Sequence, residues 1–89
     1  MAFTKEKLAG GWTRNNPGMG SSYYTRPSTK NPKGRFLVDS ETKLTVDWWL
    51  VGWYLKYAPD FEGSGYPSWT TLYGPFGSVE DAFKAAEGK

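Results

Sequence analysis

The sequence predicts an α+β fold: an antiparallel β-meander of three to five strands, one amphipathic C-terminal helix packed on one face, and a short N-terminal helix. Three observations lead there. Runs rich in aromatic and β-branched residues recur along the chain and are separated by Pro- and Gly-rich punctuation. The longest of them, Asp47 to Tyr57, holds five aromatics in eleven residues. Near the C-terminus, Val79, Ala82, Phe83 and Ala86 recur at i, i+3, i+4 and i+7, one apolar stripe of a helix. Eighty-nine residues make one domain, 1–89, with a modest core.

Taken in order, Thr4 caps a short helix through Leu8, with Phe3 and Leu8 placed as a hydrophobic staple and Gly10-Gly11 as its stop. Trp12 to Asn15 is extended, and Asn15-Asn16-Pro17-Gly18 is a turn in which Pro presets φ and Gly takes the positive φ. Ser21 to Thr25 is a strand, and Pro27 to Gly34 a polar loop. Gly34 to Asp39 is a second strand, and Ser40-Glu41-Thr42 turns the chain. Lys43 to Tyr57 is a long strand in which Gly52 marks a bulge or a close backbone approach. Ala58 to Ser68 is a loop carrying Phe61 and Tyr66. Trp69 to Tyr73 is a strand ended by Gly74-Pro75-Phe76-Gly77. Ser78 then caps the last helix, with Glu80 and Asp81 in its first turn and Gly88 at its stop.

Leu and Val total ten and Ile is absent, whereas Trp, Tyr and Phe total sixteen, so aromatics must supply much of the interior. On the Lys43–Tyr57 strand, alternation puts Trp49, Val51, Trp53, Leu55 and Tyr57 on one face, under the helix. Trp48, Leu50 and Tyr54 lie on the other. Either the N-terminal segment covers that second face with Phe3, Leu8 and Trp12, or Trp48 and Tyr54 remain open as an interaction patch or a homodimer seam. The open reading makes Trp48, Tyr54, Phe61 and Tyr66 candidate protein-binding residues, since Trp and Tyr are favoured anchors.

Catalysis has little support. The chain has no Cys and no His, which removes disulfides, thiolate sites, the commonest metal ligand and the commonest general base. Asp39, Glu41 and Asp47, and Asp60 with Glu62, stand beside turns, where carboxylates are usually solvated. Gly18-Met19-Gly20-Ser21-Ser22 lacks the Gly-Lys-Ser/Thr ending and following helix of a phosphate loop. The expectation is a protein with no catalytic residue, no metal and no cofactor. Met1-Ala2-Phe3 leads into Lys5-Glu6-Lys7 with no signal pattern, and the longest apolar run, Trp48 to Leu55, is far short of the roughly 20 residues that span a bilayer. A soluble, cytoplasmic protein is expected.

Net charge is only +2, but it is uneven: residues 1–37 carry seven Lys/Arg and one acid, and residues 38–89 four Lys and eight acids. Tyr23 and Tyr24 stand close to Arg26, Lys30, Lys33 and Arg35. Rings interleaved with cations are what single-stranded nucleic acid needs, bases stacking on the rings while Lys and Arg meet phosphates. Against this, one of two neighbouring Tyr residues must point inward, and the two halves of the chain can neutralise each other across a folded sheet.

A pattern of Gly34-Arg35-Phe36 in a strand, a Trp-rich strand, Gly74-Pro75-Phe76, and then S-V-E-D-A-F-K-A-A-E in a helix covers roughly residues 34–87. It resembles small orphan sheet-plus-helix accessory proteins of phages and prophages. That resemblance implies a factor that binds a host macromolecule inside the host cell, and it carries over no catalytic residue. The leading expectation is thus a non-enzymatic, phage-encoded factor that binds a host protein. The alternatives are a single-stranded nucleic-acid binder and a structural, self-associating phage protein.

Overall fold

The computed structural model describes residues 4–18, 22–44, 49–61, 63 and 68–89. Its elements are β1 (Thr4–Lys7), a 3-10 turn (Ala9–Gly11), β2 (Thr13–Asn16), β3 (Tyr23–Pro27), β4 (Arg35–Leu44), β5 (Trp49–Ala58), β6 (Thr70–Phe76) and α1 (Val79–Ala85). The strands form one antiparallel six-stranded sheet in the order β1-β2-β3-β4-β5-β6. The α+β architecture with a C-terminal helix is as the sequence predicts. The strand count is six, not three to five.

The predicted N-terminal helix is absent. Thr4–Lys7 pairs instead with β2, Lys5 beside Asn15 and Lys7 beside Thr13. A single turn of helix fixes many dihedrals for one hydrogen bond, and a neighbouring strand outcompetes it. Gly10 and Gly11, at φ 76° and 85°, reverse the chain between β1 and β2 rather than ending a helix, and the Leu8 N–H donates to the Trp12 carbonyl at 2.8 Å across that reversal.

Ser40-Glu41-Thr42 does not turn the chain. It continues β4 to Leu44, and β4 pairs with β5 in unbroken register from Arg35 beside Ala58 to Leu44 beside Trp49. None of those three residues demands a positive φ, and Thr suits a strand. The predicted Lys43–Tyr57 strand is therefore shared between β4 and β5, and residues 45–48 between them lie outside the described residues. Gly52 is no bulge, because the register runs through it. It is a close approach: a Cβ there would fall 2.3 Å from Pro75 Cβ. The irregularities lie on the β6 side, between Trp53 and Lys56. β6 itself continues through the cis Gly74-Pro75 bond to Phe76, past the predicted end at Tyr73.

α1 forms where its local signals placed it. Ser78 Oγ accepts from the Asp81 N–H at 3.2 Å, and Ala82 and Ala86 are fully buried. They meet Trp12, Phe36, Val38 and Leu55 in the core, with Leu8, Tyr24, Trp53, Tyr57 and Phe83 packed around. Trp12 stacks on Phe83 at 4.3 Å between ring centroids. Of the set expected under the helix, Trp53, Leu55 and Tyr57 do lie there, but Val51 is 65% exposed, beyond the helix's cover. Leu8 and Trp12, however, join that same face, so they do not cover the opposite one.

Candidate binding cleft on the open sheet face

Register and alternation assign a second set of side chains to the face away from α1. On β4 these are Arg35, Leu37, Asp39 and Glu41, alternating with the core residues Phe36 and Val38. Thr25 pairs with Leu37, Asn15 with Tyr23, and Lys5 with Asn15, which extends the set across β3, β2 and β1. Tyr54 and Lys56 carry it onto β5, beside Asp39 and Leu37.

This face holds a cleft of about 860 Å³. Lys5, Asn15, Tyr23 and Thr25 line one side, and Arg35, Leu37 and Asp39 the β4 side. Phe61 and Trp69, from the two ends of the β5–β6 connection, complete the wall. Phe61 lies 5.7 Å from Trp69 between centroids, and the Arg35 guanidinium sits 5.3 Å over the Phe61 ring, which ties this connection to the sheet.

Two built features stiffen the floor. Asn15 is buried, and its Nδ2 donates to the Thr13 carbonyl at 3.1 Å, the Thr25 hydroxyl at 3.3 Å and the Tyr23 carbonyl at 3.5 Å. With the amide nitrogen committed, Asn15 offers a ligand only its oxygen. Further along, Lys56 Nζ bridges Asp39 Oδ2 at 3.1 Å and Glu41 Oε1 at 2.7 Å. Burial alone would depress the Lys56 ammonium. Hydrogen bonds and charge from Glu41 and Asp39 outweigh it and hold the group above the ordinary lysine value.

The predicted site residues separate sharply here. Tyr54 is 5% exposed, not an open contact ring, because it is wedged against the backbone of β6: a Cβ on Gly74 would fall 2.6 Å from its Cδ1. Phe61 is half-buried in the cleft wall, and Trp48 and Tyr66 lie outside the described residues. Of the two tyrosines, Tyr23 faces the cleft. Tyr24 points inward, edge-on to Trp53 at 5.9 Å and Phe83 at 5.5 Å.

Arg26 is 7% exposed and cannot serve a phosphate. Its guanidinium lies 5.3 Å over Trp12 and 5.1 Å over Phe36, and Nη2 donates to the backbone oxygen of Lys89 at 2.9 Å. Desolvation lowers its pKa from the ordinary value. Lys30 and Lys33 are exposed in the β3–β4 loop and do not line the cleft, whereas Arg35 does. Sequence reasoning missed Lys5, Asn15, Thr25 and Trp69. They lie on separate elements, and only the strand register gathers them.

The uneven charge now has a place in space. Strand order equals chain order, so the basic N-terminal segment occupies the β1–β3 side and the acidic remainder the β5–β6–α1 side. A meander lays the halves side by side and does not interleave them. Among the described residues, no group of three or more acidic side chains is placed to hold a metal ion, and no helix is long and apolar enough to cross a membrane. No protein-family model, no curated protein and no solved structure matches the chain.

Proposed function

We propose that this is a non-enzymatic binding protein that receives single-stranded nucleic acid on its open sheet face. The observation that carries the reading is one cleft in which Tyr23, Phe61 and Trp69 stand among Lys5 and Arg35. Rings give every base a stacking surface and cations meet the phosphates, a combination that needs neither a catalytic group nor a cofactor. Exposed Lys7, Arg14, Lys30 and Lys33 extend the positive field beyond the cleft and steer an anionic strand toward it. A phage accessory factor acting in the host cytoplasm fits this role.

Fluorescence anisotropy with a labelled single-stranded oligonucleotide tests the proposal. Binding at low salt should weaken steeply toward physiological salt. Tyr23→Ala should cost about 1–3 kcal/mol of affinity, the worth of one base stacked on an aromatic ring. Absence of binding at low salt would remove the reading.

Host-protein binding through exposed aromatics is the second reading. It is favoured by Val51, Leu72 and Tyr73, which are 65%, 38% and 50% exposed on the β5–β6 side. β6 is also an edge strand with no charged residue, whereas three of the four β1 residues are charged. Self-association through that edge belongs to the same reading, and a mass above the monomer in solution would support it.

A further inference from the structure

We infer that the cleft selects bases that carry an exocyclic amine (adenine, cytosine or guanine) over thymine and uracil, and that Asp39 is the residue that reads the amine. The inference rests on the nucleic-acid reading and adds a base preference to it.

The starting observation is an acceptor that the fold leaves unused. An ionised carboxylate has two oxygens and about four lone-pair sites. Asp39 uses one oxygen for Lys56, whose Nζ donates to Oδ2 at 3.1 Å. Its Oδ1 is covered by surrounding atoms and receives no hydrogen bond. An acceptor in that state is costly, because it has given up water without gaining a donor. Asp39 lines the cleft, and its side chain is 28% exposed. A modest rotation of the carboxylate, with Lys56 following on its flexible stem, turns Oδ1 toward a donor in the cleft. A donor that meets it there displaces no water from it.

The strand register supplies the surroundings. Asn15 pairs with Tyr23, and Tyr23 stands beside Asp39 one step beyond the Tyr24–Val38 pair. All three line the cleft. With strands about 4.8 Å apart, a base stacked on Tyr23 has Asn15 one strand away on one side and Asp39 one strand away on the other. Asn15 is an acceptor here as well. An asparagine ordinarily reads adenine with its amide nitrogen and oxygen together. The Asn15 nitrogen, however, is held by the Thr13 and Tyr23 carbonyls and the Thr25 hydroxyl. The Tyr23 ring is therefore flanked by an amide oxygen and a carboxylate, groups that take hydrogen bonds and do not give them.

Base chemistry then decides the preference. Adenine N6, cytosine N4 and guanine N2 are amines, and each can donate to a carboxylate. Thymine and uracil hold carbonyl oxygens on both sides of one ring N–H. Those carbonyls, set against Asp39 or Asn15, would lose water and gain no donor. Phosphates take no part in the preference, since they are the same in every strand.

Fluorescence anisotropy with oligo(dC) and oligo(dU) of equal length, at neutral pH and one low salt concentration, tests this. The two bases share a ring and a size and exchange an amine for a carbonyl at one position. Oligo(dC) should bind about tenfold more tightly, within the range of one base-edge contact. In Asp39→Asn the ratio should fall to about two or less, because an amide nitrogen can turn toward the uracil carbonyl. Glu80→Gln removes the same charge from an exposed position on α1 and should keep the wild-type ratio. The ratio cancels any change in charge or stability that acts on both oligonucleotides alike. Circular dichroism shows whether Asp39→Asn is folded, and the wild-type ratio decides alone if it is not. A wild-type ratio near one, a preference for oligo(dU), or a ratio that folded Asp39→Asn leaves unchanged would overturn this reading of Asp39 while leaving nucleic-acid binding in place. If neither oligonucleotide binds at low salt, both inferences fall together.

Discussion

The two faces of the sheet are written by the same strands in alternate letters, yet they solve opposite problems. Under α1, Phe36, Val38 and Leu55 pack with Trp12, Ala82 and Ala86 in one buried core, and the buried cation beside it, Arg26, is caged by rings and carbonyls. One residue along each strand, Arg35, Leu37, Asp39 and Tyr23 face a cleft instead. The contrast between Arg26 and Arg35 is the clearest. Both are arginines over an aromatic ring, but one holds the fold and the other lines the candidate site. Parity within the strand, not residue type, decides which arginine lines the cleft.

The largest effect that would break this comparison lies in the core. Leu55→Ala removes a fully buried side chain opposite Val38 and should cost about 2–5 kcal/mol in urea unfolding. Leu37→Ala, one face away, should cost about 1 kcal/mol or less. Equal losses would mean that the open face is packed as a second core, and the cleft would lose its meaning.

Next come the two arginines. Arg26→Met keeps some ring contact but removes the charged donor to the Lys89 oxygen, and a hydrogen bond to a charged group is worth about 1.5–3 kcal/mol. Stability should fall by about that much, with oligonucleotide affinity unchanged. Arg35→Gln should do the reverse, lowering affinity with a smaller effect on the unfolding midpoint. A loss of affinity in Arg26→Met without a loss of stability would show that the two faces are coupled and that parity does not separate their roles.

How far the sequence discloses all this depends on how local each cause is. α1 was legible because its cap, its acids and its stripe lie within ten residues of one another. The core parity of β5 was legible because Trp53, Leu55 and Tyr57 alternate with a polar Lys56. β1 was not, because Thr-Lys-Glu-Lys carries no apolar alternation and becomes a strand only beside β2. Nor was the burial of Tyr54, which depends on a close approach of Gly74 twenty residues away. The tyrosine pair shows the limit well. Sequence alone requires one ring inward, but only the pairing of Tyr24 with Val38 says which. The cleft residues Lys5, Asn15, Thr25 and Arg35 come from four strands, and no single-strand pattern marks them as neighbours.

The smallest predicted effect tests the Lys56 charge network of the open face. The Lys56 ammonium is shared by Asp39 and Glu41, and its folded pKa is raised above the ordinary value of 10.5. A group whose pKa is higher folded than unfolded contributes stability that is fully present below the unfolded pKa and is lost as pH rises through the folded one. The window is therefore alkaline, beginning near 10.5 and ending above it, and the network gives no pH dependence near neutrality. Urea midpoints measured from neutral pH upward should decline through that window in the wild type, and part of the decline should vanish in Lys56→Met. That variant also removes a positive charge that Asp39 and Glu41 share beside the cleft, so nucleic acid should bind it more weakly than it binds Glu41→Gln, which removes a negative one. If both variants shift affinity in the same direction and by the same factor, Asp39, Glu41 and Lys56 do not act on nucleic acid through their charge, and that network belongs to the fold alone.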